Sequence, residues 1–216
     1  MSRFFTSQGP NKLIIFDFDG VLADSFDSFF PLLRDAAKSV GFSLTKKQYR
    51  DFFLGNVHQG LRNFIKDNNK YLALLEFRKK NYHKYYKNVS FFPGAARALK
   101  EFAKNHILTV ASSGKQKDIL RLLRKNGADK LFDTVLATTE HTKENMIKKI
   151  GAKFTIPPEK TVMIADTVGD IKVAKRMGLK TIAVTWGFHS QKLLQQAKPD
   201  RLANNFKMLY KQLKAI

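Results

Sequence analysis

The sequence has no cysteine, no long hydrophobic run and few acidic side chains. Without cysteine there can be no disulfide bond, no zinc–thiolate site and no thiol nucleophile. No apolar run approaches the roughly 20 residues that a membrane-spanning helix needs, and residues 1–10 contain no apolar segment of signal-peptide length. We therefore expect a cytoplasmic protein that has no membrane partner.

What the sequence has in excess is positive charge. Its 216 residues include 39 Lys and Arg but only 18 Asp and Glu, which gives a formal net charge of +21. Such a field attracts anions, so phosphorylated metabolites, nucleic acids and acidic surfaces are the partners to consider. A lysine-rich surface without a specific partner explains the same excess.

Short apolar runs alternate with helical patterns along most of the chain. Runs rich in Val, Ile, Leu and Phe predict buried strands at residues 13–16, 107–111, 134–137, 161–165 and 181–185. Helices are predicted between them, at residues 95–104, 117–125, 143–150 and 170–177. This alternation predicts an α/β fold with a Rossmann-like parallel sheet.

Residues 24–92 interrupt that alternation, because they show helical patterning only. Phe29, Leu32 and Leu33, for example, have the spacing of one apolar helix face. We predict an α-helical domain inserted after the first strand. The predicted organisation is therefore a core domain of residues 1–23 and 93–216, with a helical domain of residues 24–92.

Two acidic pairs follow predicted strands. Asp17 and Asp19 come after the strand at 13–16, and Asp166 and Asp170 come after the strand at 161–165. Because ligands bind at the carboxyl ends of parallel strands, all four carboxylates are expected at one edge of the sheet. Such a cluster needs a cation or a proton to neutralise it, and oxygen ligands without nearby His or Cys favour Mg²⁺ over zinc. An ordinary acidic turn is the alternative for the first pair alone.

A possible phosphate site follows the strand at 107–111. Ser112, Ser113 and Gly114 offer hydroxyls and free backbone N–H groups just before a helix, where phosphate oxygens bind well. Lys143 begins another helix at the same predicted edge and could offset negative charge. Taken singly, these are also an ordinary loop and a surface lysine.

In this order, Asp17-x-Asp19-Gly20-Val21, Ser112, Lys143 and Asp166-x-x-x-Asp170 resemble the four motifs of the haloacid dehalogenase superfamily. The loop at 186–188 and the turn at 199–200 are similar to those of phosphoglycolate phosphatase-like members. The helical insert is where that family places its C1 cap. The resemblance implies a phosphatase rather than a dehalogenase, since Asp19 is present.

The resemblance also implies roles for the core residues. Asp17 would be the nucleophile that becomes an aspartyl phosphate, and Asp19 would serve as acid and then as base. Asp17, the backbone carbonyl of Asp19, and Asp166 would bind Mg²⁺, with Asp170 acting directly or through water. Ser112, Ser113, Gly114 and Lys143 would bind the phosphate, and Ser112 and Lys143 count among the catalytic residues.

The expected substrate is a small phosphorylated metabolite, and the expected assembly is a monomer or a homodimer. A sugar-phosphate mutase is an alternative, although Phe29 and His58 stand where mutases carry a cap histidine and a cap arginine. A non-catalytic protein that binds nucleic acid or another partner on the same scaffold is a second alternative.

The cap is expected to select the substrate through the loop at 54–60. Its candidate residues are Gly55, Asn56, His58 and Gln59, and a plain interhelical turn explains the same pattern equally well. The aromatic and basic segment at 77–87 could bind nucleic acid by stacking and phosphate contacts. An amphipathic helix with a solvated basic face is the favoured interpretation, so a nucleic-acid partner is not expected.

Overall fold

The computed structural model describes residues 12–138 and 142–216. Within these ranges the strands are β1 Leu13–Phe16, β2 Ala23–Asp24, β3 Ser90–Phe91, β4 Ile107–Ser112, β5 Thr134–Ala137, β6 Thr161–Ala165, β7 Lys180–Val184 and β8 Arg201–Ala203. The helices are α1 Phe26–Ser39, α2 Lys46–Asp51, α3 Val57–Phe64, α4 Asn68–Tyr86, α5 Ala95–Phe102, α6 Gln116–Lys125, α7 Lys143–Phe154, α8 Val168–Arg176, α9 Gln191–Gln196 and α10 Phe206–Ala215. None of them is long and apolar enough to cross a membrane.

Six of the strands form one parallel sheet in the order β5-β4-β1-β6-β7-β8. The central strand β1 pairs with β4 on one side and with β6 on the other. In this register Phe16 lies opposite Val110 and Ile164. The predicted Rossmann-like α/β fold is therefore confirmed, and the acidic segments after β1 and β6 begin side by side.

Both faces of the sheet are covered, which explains why its strands read as continuous apolar runs. Ile14 and Phe16 point into a core formed with α5, α6 and α10. Leu13 and Ile15 point to the opposite face, into a core formed with α7, α8 and α9. All four side chains are fully buried, as the alternation of side chains along a strand between two layers requires.

Helices α1 to α4 form the predicted inserted domain, which we call the cap. It has its own apolar cluster, in which α1 packs along α4. Phe188 from the loop after β7 joins that cluster, so the cap packs on the core through a core side chain. The assignment of residues 24–92 as a separate domain stays a prediction.

Two features differ from the sequence-based expectation. The insert is not purely helical, because β2 and β3 form an antiparallel ribbon where the chain leaves and re-enters the core. Strand β8 adds a sixth strand to the sheet next to β7. These strands are two or three residues long, too short for a periodic pattern to reveal them.

The aromatic and basic segment forms the second half of α4, as favoured by its pattern. Tyr82 and Tyr86 turn inward and stack with each other and with Phe29. Lys80 and Lys84 are exposed. Two of the rings that would stack on nucleic-acid bases are thus engaged inside the protein, whereas Tyr85 is half-exposed and donates its hydroxyl to Asp35.

Asp200 joins the last two strands of the sheet. Its Oδ2 accepts hydrogen bonds from the backbone N–H of Thr181 at 2.8 Å and from the Thr181 hydroxyl at 2.7 Å. Its own N–H donates to the same hydroxyl at 3.0 Å. Thr181 is fully buried, so its polar atoms depend on this carboxylate.

We predict that Asp200→Ala lowers the free energy of unfolding, measured by urea denaturation. Loss of hydrogen bonds to a charged group typically costs about 1.5–3 kcal/mol. Glu76→Ala on exposed α4 is the control and should change stability by less than about 0.5 kcal/mol. Equal stabilities of the two variants would contradict this role for Asp200.

Candidate active site

The candidate site lies at the carboxyl edge of three adjacent strands. Asp17 follows β1, Ser112 ends β4 and Asp166 follows β6. The parallel ladder continues one residue beyond β1, because the Asp17 N–H donates to the Ile164 carbonyl at 2.9 Å. The fold thus brings residues about 50 to 150 positions apart to one place.

Lys143 joins two of the predicted site residues. Its ammonium group donates to Asp17 Oδ1 at 2.8 Å and lies 3.1 Å from Asp170 Oδ2. It also donates to the Ala111 carbonyl at 2.8 Å. Burial alone would lower the pKa of Lys143, but the two carboxylates raise it, so the side chain is a buried, paired cation.

The two oxygens of Asp17 have different surroundings. Oδ1 accepts from Lys143 and from the Phe18 N–H at 2.8 Å, whereas Oδ2 accepts from no residue that the structure describes. Burial raises the pKa of Asp17 to about 7, although Lys143 acts in the opposite direction. One carboxylate oxygen is therefore fixed, and the other is left for a ligand.

Asp19 lies beside the predicted phosphate-binding segment of residues 112–114, which we call the phosphate loop. Its Oδ2 and the Ser112 hydroxyl are both 3.3 Å from the point where a Cβ would stand at Gly114. The Gly114 N–H donates to the Ser112 hydroxyl at 3.0 Å. Ser112 is buried, while Ser113 and Gly114 are half-buried. Burial raises the pKa of Asp19 to about 6, so near neutrality a larger fraction of this side chain is protonated than of an ordinary aspartate.

Asp166 is fully buried under the turn that carries Asp19. Its Oδ2 accepts from the Phe188 N–H at 2.7 Å, but its Oδ1 has no hydrogen-bond partner among the described residues. Burial raises the pKa of Asp166, and the neighbouring carboxylate of Asp17 raises it further. Gly20 admits this side chain, since a Cβ there would lie 2.0 Å from Oδ2.

These carboxylates suit a hard cation by their chemistry, and the unpartnered Oδ1 of Asp166 is an oxygen that such an ion could satisfy. In the described part of the chain, however, no three His, Cys, Asp or Glu side chains are already grouped as a metal site. Asp170 is turned toward Lys143, and its N–H lies 3.4 Å from the Thr167 hydroxyl. The Mg²⁺ ligands named from the sequence therefore stay a prediction.

The four predicted cap residues differ in their exposure and in their hydrogen bonds. Asn56 caps α3, because its Oδ1 accepts from the N–H groups of His58 and Gln59. The Gln59 side chain donates to Asn63, and Gly55 is exposed. His58 is half-buried and lies in the field of a cap cation, Arg78. A substrate role for the four stays a prediction.

Sequence reasoning missed the contact between cap and core. A methyl group at Gly169 would lie 2.6 Å from the Gly55 carbonyl oxygen and 2.9 Å from that of Phe53. The cap chain therefore passes directly over the first turn of α8, between Asp166 and Asp170. The glycine is visible in the sequence, but nothing local indicates what approaches it.

The loop after β7 makes the second part of that contact. The Phe188 ring packs edge-on against the Phe53 ring, with 5.0 Å between the ring centres. The Phe188 carbonyl accepts a hydrogen bond from Arg50 Nε at 2.8 Å. His189 Nδ1 accepts from the Val168 N–H at 3.0 Å, and Nε2 faces the Arg50 carbonyl at 2.9 Å. The 186–188 loop stood out in the sequence, whereas Arg50 carried no signal.

An acidic cluster with a buried lysine, at the carboxyl edge of a Rossmann-like sheet and under a helical cap, defines a haloacid dehalogenase-type hydrolase. The profile of the family described as "Haloacid dehalogenase-like hydrolase" matches residues 14–184, and the chain belongs to that family. This confirms the family resemblance and the prediction of an enzyme of phosphatase type.

Three comparisons illustrate the similarity. The chain is 27% identical to a phosphoglycolate phosphatase of Synechococcus elongatus, over 88% of this chain and 92% of that one. It is 29% identical to a phosphorylated carbohydrates phosphatase of Thermotoga maritima, over 91% and 98%. A haloacid dehalogenase-like hydrolase from Streptococcus pneumoniae superposes with a TM-score of 0.81 at 22% identity, covering 93% and 97%.

We predict that Gly169→Ala displaces the cap loop and destabilises the protein. Overpacking of this kind typically costs about 1–3 kcal/mol, measurable by urea denaturation. Limited proteolysis should also show faster cleavage within residues 52–56. The matched control is Gly151→Ala in α7, where a Cβ meets nothing within 4 Å, so removing the helical glycine should stabilise by about 0.5–1 kcal/mol. Equal gains in both variants would disprove the close contact.

Proposed function

We propose that the protein is a Mg²⁺-dependent phosphatase that hydrolyses a small phosphomonoester through an aspartyl phosphate on Asp17. The observation that carries this proposal is the buried Lys143 ammonium between Asp17 and Asp170, next to the phosphate loop. Relatives named phosphoglycolate phosphatase and phosphorylated carbohydrates phosphatase support it and suggest phosphoglycolate or a sugar phosphate as substrates.

In the first step, Asp17 Oδ2 attacks phosphorus while Oδ1 stays bound to Lys143 and the Phe18 N–H. A bond forms between that oxygen and phosphorus, and the bond from phosphorus to the ester oxygen breaks. Asp19 gives its proton to the departing oxygen, a role that its raised pKa favours. The product alcohol leaves, and Asp17 carries the phosphoryl group.

In the second step, water attacks the phosphorus of the aspartyl phosphate. Asp19 takes a proton from that water, the bond between phosphorus and Asp17 breaks, and inorganic phosphate is released. Ser112 and the N–H groups of Ser113 and Gly114 would bind the phosphate oxygens throughout.

Mg²⁺, when bound, would supply positive charge for the phosphoryl oxygens. Asp17, Asp166 and the Asp19 carbonyl would hold it, with Asp170 bound directly or through water. The unpartnered Oδ1 of buried Asp166 supports that assignment.

Neither alternative function, a sugar-phosphate mutase or a non-catalytic nucleic-acid-binding protein, gains support from the structure. Phe29 stacks on Tyr82 and Tyr86 at the place where mutases carry a cap histidine, so a mutase lacks support. Binding of nucleic acid lacks support as well, because Tyr82 and Tyr86 of α4 are engaged in stacking within the protein. A small phosphorylated metabolite therefore stays the proposed partner.

We predict that Asp17→Asn reduces phosphate release to background, because an amide oxygen is a far weaker nucleophile than a carboxylate. The assay follows phosphate release from a panel of phosphorylated metabolites, and circular dichroism checks the fold. Asp27→Asn is the control, since that side chain is 86% exposed, and it should retain activity. Wild-type turnover by a clean Asp17→Asn preparation would remove Asp17 as the nucleophile.

We predict that chelation of metal ions stops turnover and that Mg²⁺ raises the melting temperature of the metal-free protein. A ligand at a hundredfold excess over its Kd stabilises the folded state by about 2.7 kcal/mol. Asp166→Asn should lose most of this shift. Full activity after exhaustive chelation, with no effect of Mg²⁺ on melting, would contradict the metal requirement.

A further inference from the structure

His189 is a buried histidine that joins the core to the cap, and the proposed reaction gives it no role. It follows Phe188 in the loop after β7 and is 1% exposed. Its Nδ1 accepts a hydrogen bond from the Val168 N–H at 3.0 Å, and its Nε2 lies 2.9 Å from the Arg50 carbonyl oxygen. One ring therefore bridges the start of α8 in the core and the last turn of α2 in the cap.

These two contacts fix the protonation state of the ring. A backbone N–H can only donate, so Nδ1 of His189 has a free lone pair and no proton. A backbone carbonyl can only accept, so Nε2 carries the proton and donates to Arg50. His189 is therefore a neutral imidazole in the Nε2–H form, and burial also favours the neutral form by lowering the pKa of this side chain. Both ring nitrogens have a protein partner, so neither is left for a substrate.

The bond to Val168 orders the turn of residues 166–170, which we call the acidic turn. Val168 is the first residue of α8 and is buried, and the first N–H groups of a helix have no acceptor within it. His189 supplies an acceptor that this N–H cannot obtain from water. Asp170 lies two residues further along the same helical turn, and its Oδ2 is 3.1 Å from Lys143 Nζ. The histidine ring thus helps to set the direction in which Asp170 points.

The backbone of the same loop holds Asp166. The Phe188 N–H donates to Asp166 Oδ2 at 2.7 Å, and the His189 N–H donates to the Asp166 carbonyl at 3.3 Å. With the bond from Val168 to the ring, three hydrogen bonds join this loop to residues 166–168. The side chain and the backbone of His189 therefore act on the same acidic turn.

Arg50 completes the bridge from the cap. Its carbonyl accepts from His189, and its Nε donates to the Phe188 carbonyl at 2.8 Å, so one cap residue binds two consecutive loop residues. The Arg50 guanidinium carbon also lies 4.2 Å from the centre of the Phe26 ring on α1. Main chain and side chain of Arg50 are both engaged, which fixes the orientation of the cap against the loop.

We propose that His189 is a positioning residue whose Nδ1 orders the acidic turn, and with it the proposed Mg²⁺ site, while its Nε2–H holds the cap. It acts through Val168 and Arg50 rather than on the substrate. This inference rests on the proposed phosphatase function, and it assigns a functional residue to the end of β7, a strand that carries none of the proposed catalytic residues.

Two substitutions of similar shape separate the two contacts. His189→Asn keeps an acceptor oxygen near the place of Nδ1 but loses the donor to Arg50. His189→Gln keeps an amide N–H near the place of Nε2 but loses the acceptor for Val168. In calorimetric titrations with Mg²⁺, His189→Gln should raise the Kd by about 10-fold to 100-fold, the usual effect of removing a group that orders metal ligands, whereas His189→Asn should change it by less than about threefold.

Amide hydrogen exchange of the metal-free protein, followed by mass spectrometry, is a second readout that needs neither metal nor substrate. His189→Gln should speed exchange within residues 167–171, and His189→Asn should speed it within residues 50–56 of the cap. Each increase should be about threefold to tenfold, as expected for one lost hydrogen bond. His83→Asn and His83→Gln are the matched controls, because His83 is an exposed histidine on α4, and they should change neither segment.

The wild-type protein decides the question even if both His189 variants fail to fold. A long-range ¹H–¹⁵N correlation spectrum should show the His189 ring with its proton on Nε2 alone. A proton on Nδ1 would overturn the inference, because Nδ1 could then not accept from Val168.

The outcomes separate this inference from the proposed function. Equal effects of the Asn and Gln substitutions, or a wild-type Mg²⁺ affinity in His189→Gln, would overturn the inference, whatever the turnover. A wild-type protein that binds Mg²⁺ but releases no phosphate would overturn the phosphatase proposal alone, provided that the two variants differ as expected. If the wild-type protein binds no Mg²⁺, the metal requirement is overturned and the exchange pattern decides whether His189 orders the acidic turn.

Discussion

The need to keep several carboxylates together, away from water, is the constraint on which this structure depends. Asp17, Asp19 and Asp166 sit at one sheet edge, and burial raises the pKa of each. The Lys143 ammonium offsets part of the repulsion by pairing with Asp17 and Asp170. The cluster is costly to bury, and the one buried cation offsets part of that cost. The unpartnered Oδ1 of Asp166 adds to the cost and leaves an oxygen that a ligand can satisfy.

The surrounding packing follows from that requirement. The Asp166 carboxylate fits because Gly20 and Gly187 leave room for it, and the Phe188 N–H fixes one of its oxygens. The same Phe188 carries its ring into the cap cluster, where Arg50 donates to its carbonyl. The loop that holds the Asp166 side chain in place is thus also the loop against which the cap packs. The position of the cap and the order of the acidic cluster therefore depend on the same loop.

The sequence was sufficient for the parts of the fold that local pattern determines. Buried parallel strands read as apolar runs, and the acids that follow β1 and β6 meet because parallel strands end at one edge. Strand β8, the β2–β3 ribbon and the contact at Gly169 could not be predicted, because each depends on a partner distant in sequence.

Burial also decides which of the many cations matter for recognition. At 0.15 M salt the Debye length is about 8 Å, so exposed lysines such as Lys80 and Lys84 speed encounters with anions but scarcely distinguish among them. Lys143 lies where screening is weak and where an unpaired charge is costly. Lys143 meets that cost with protein carboxylates. A buried cation held in this way keeps one oxygen of Asp17 in place, whereas an exposed lysine does no more than raise the local concentration of anions.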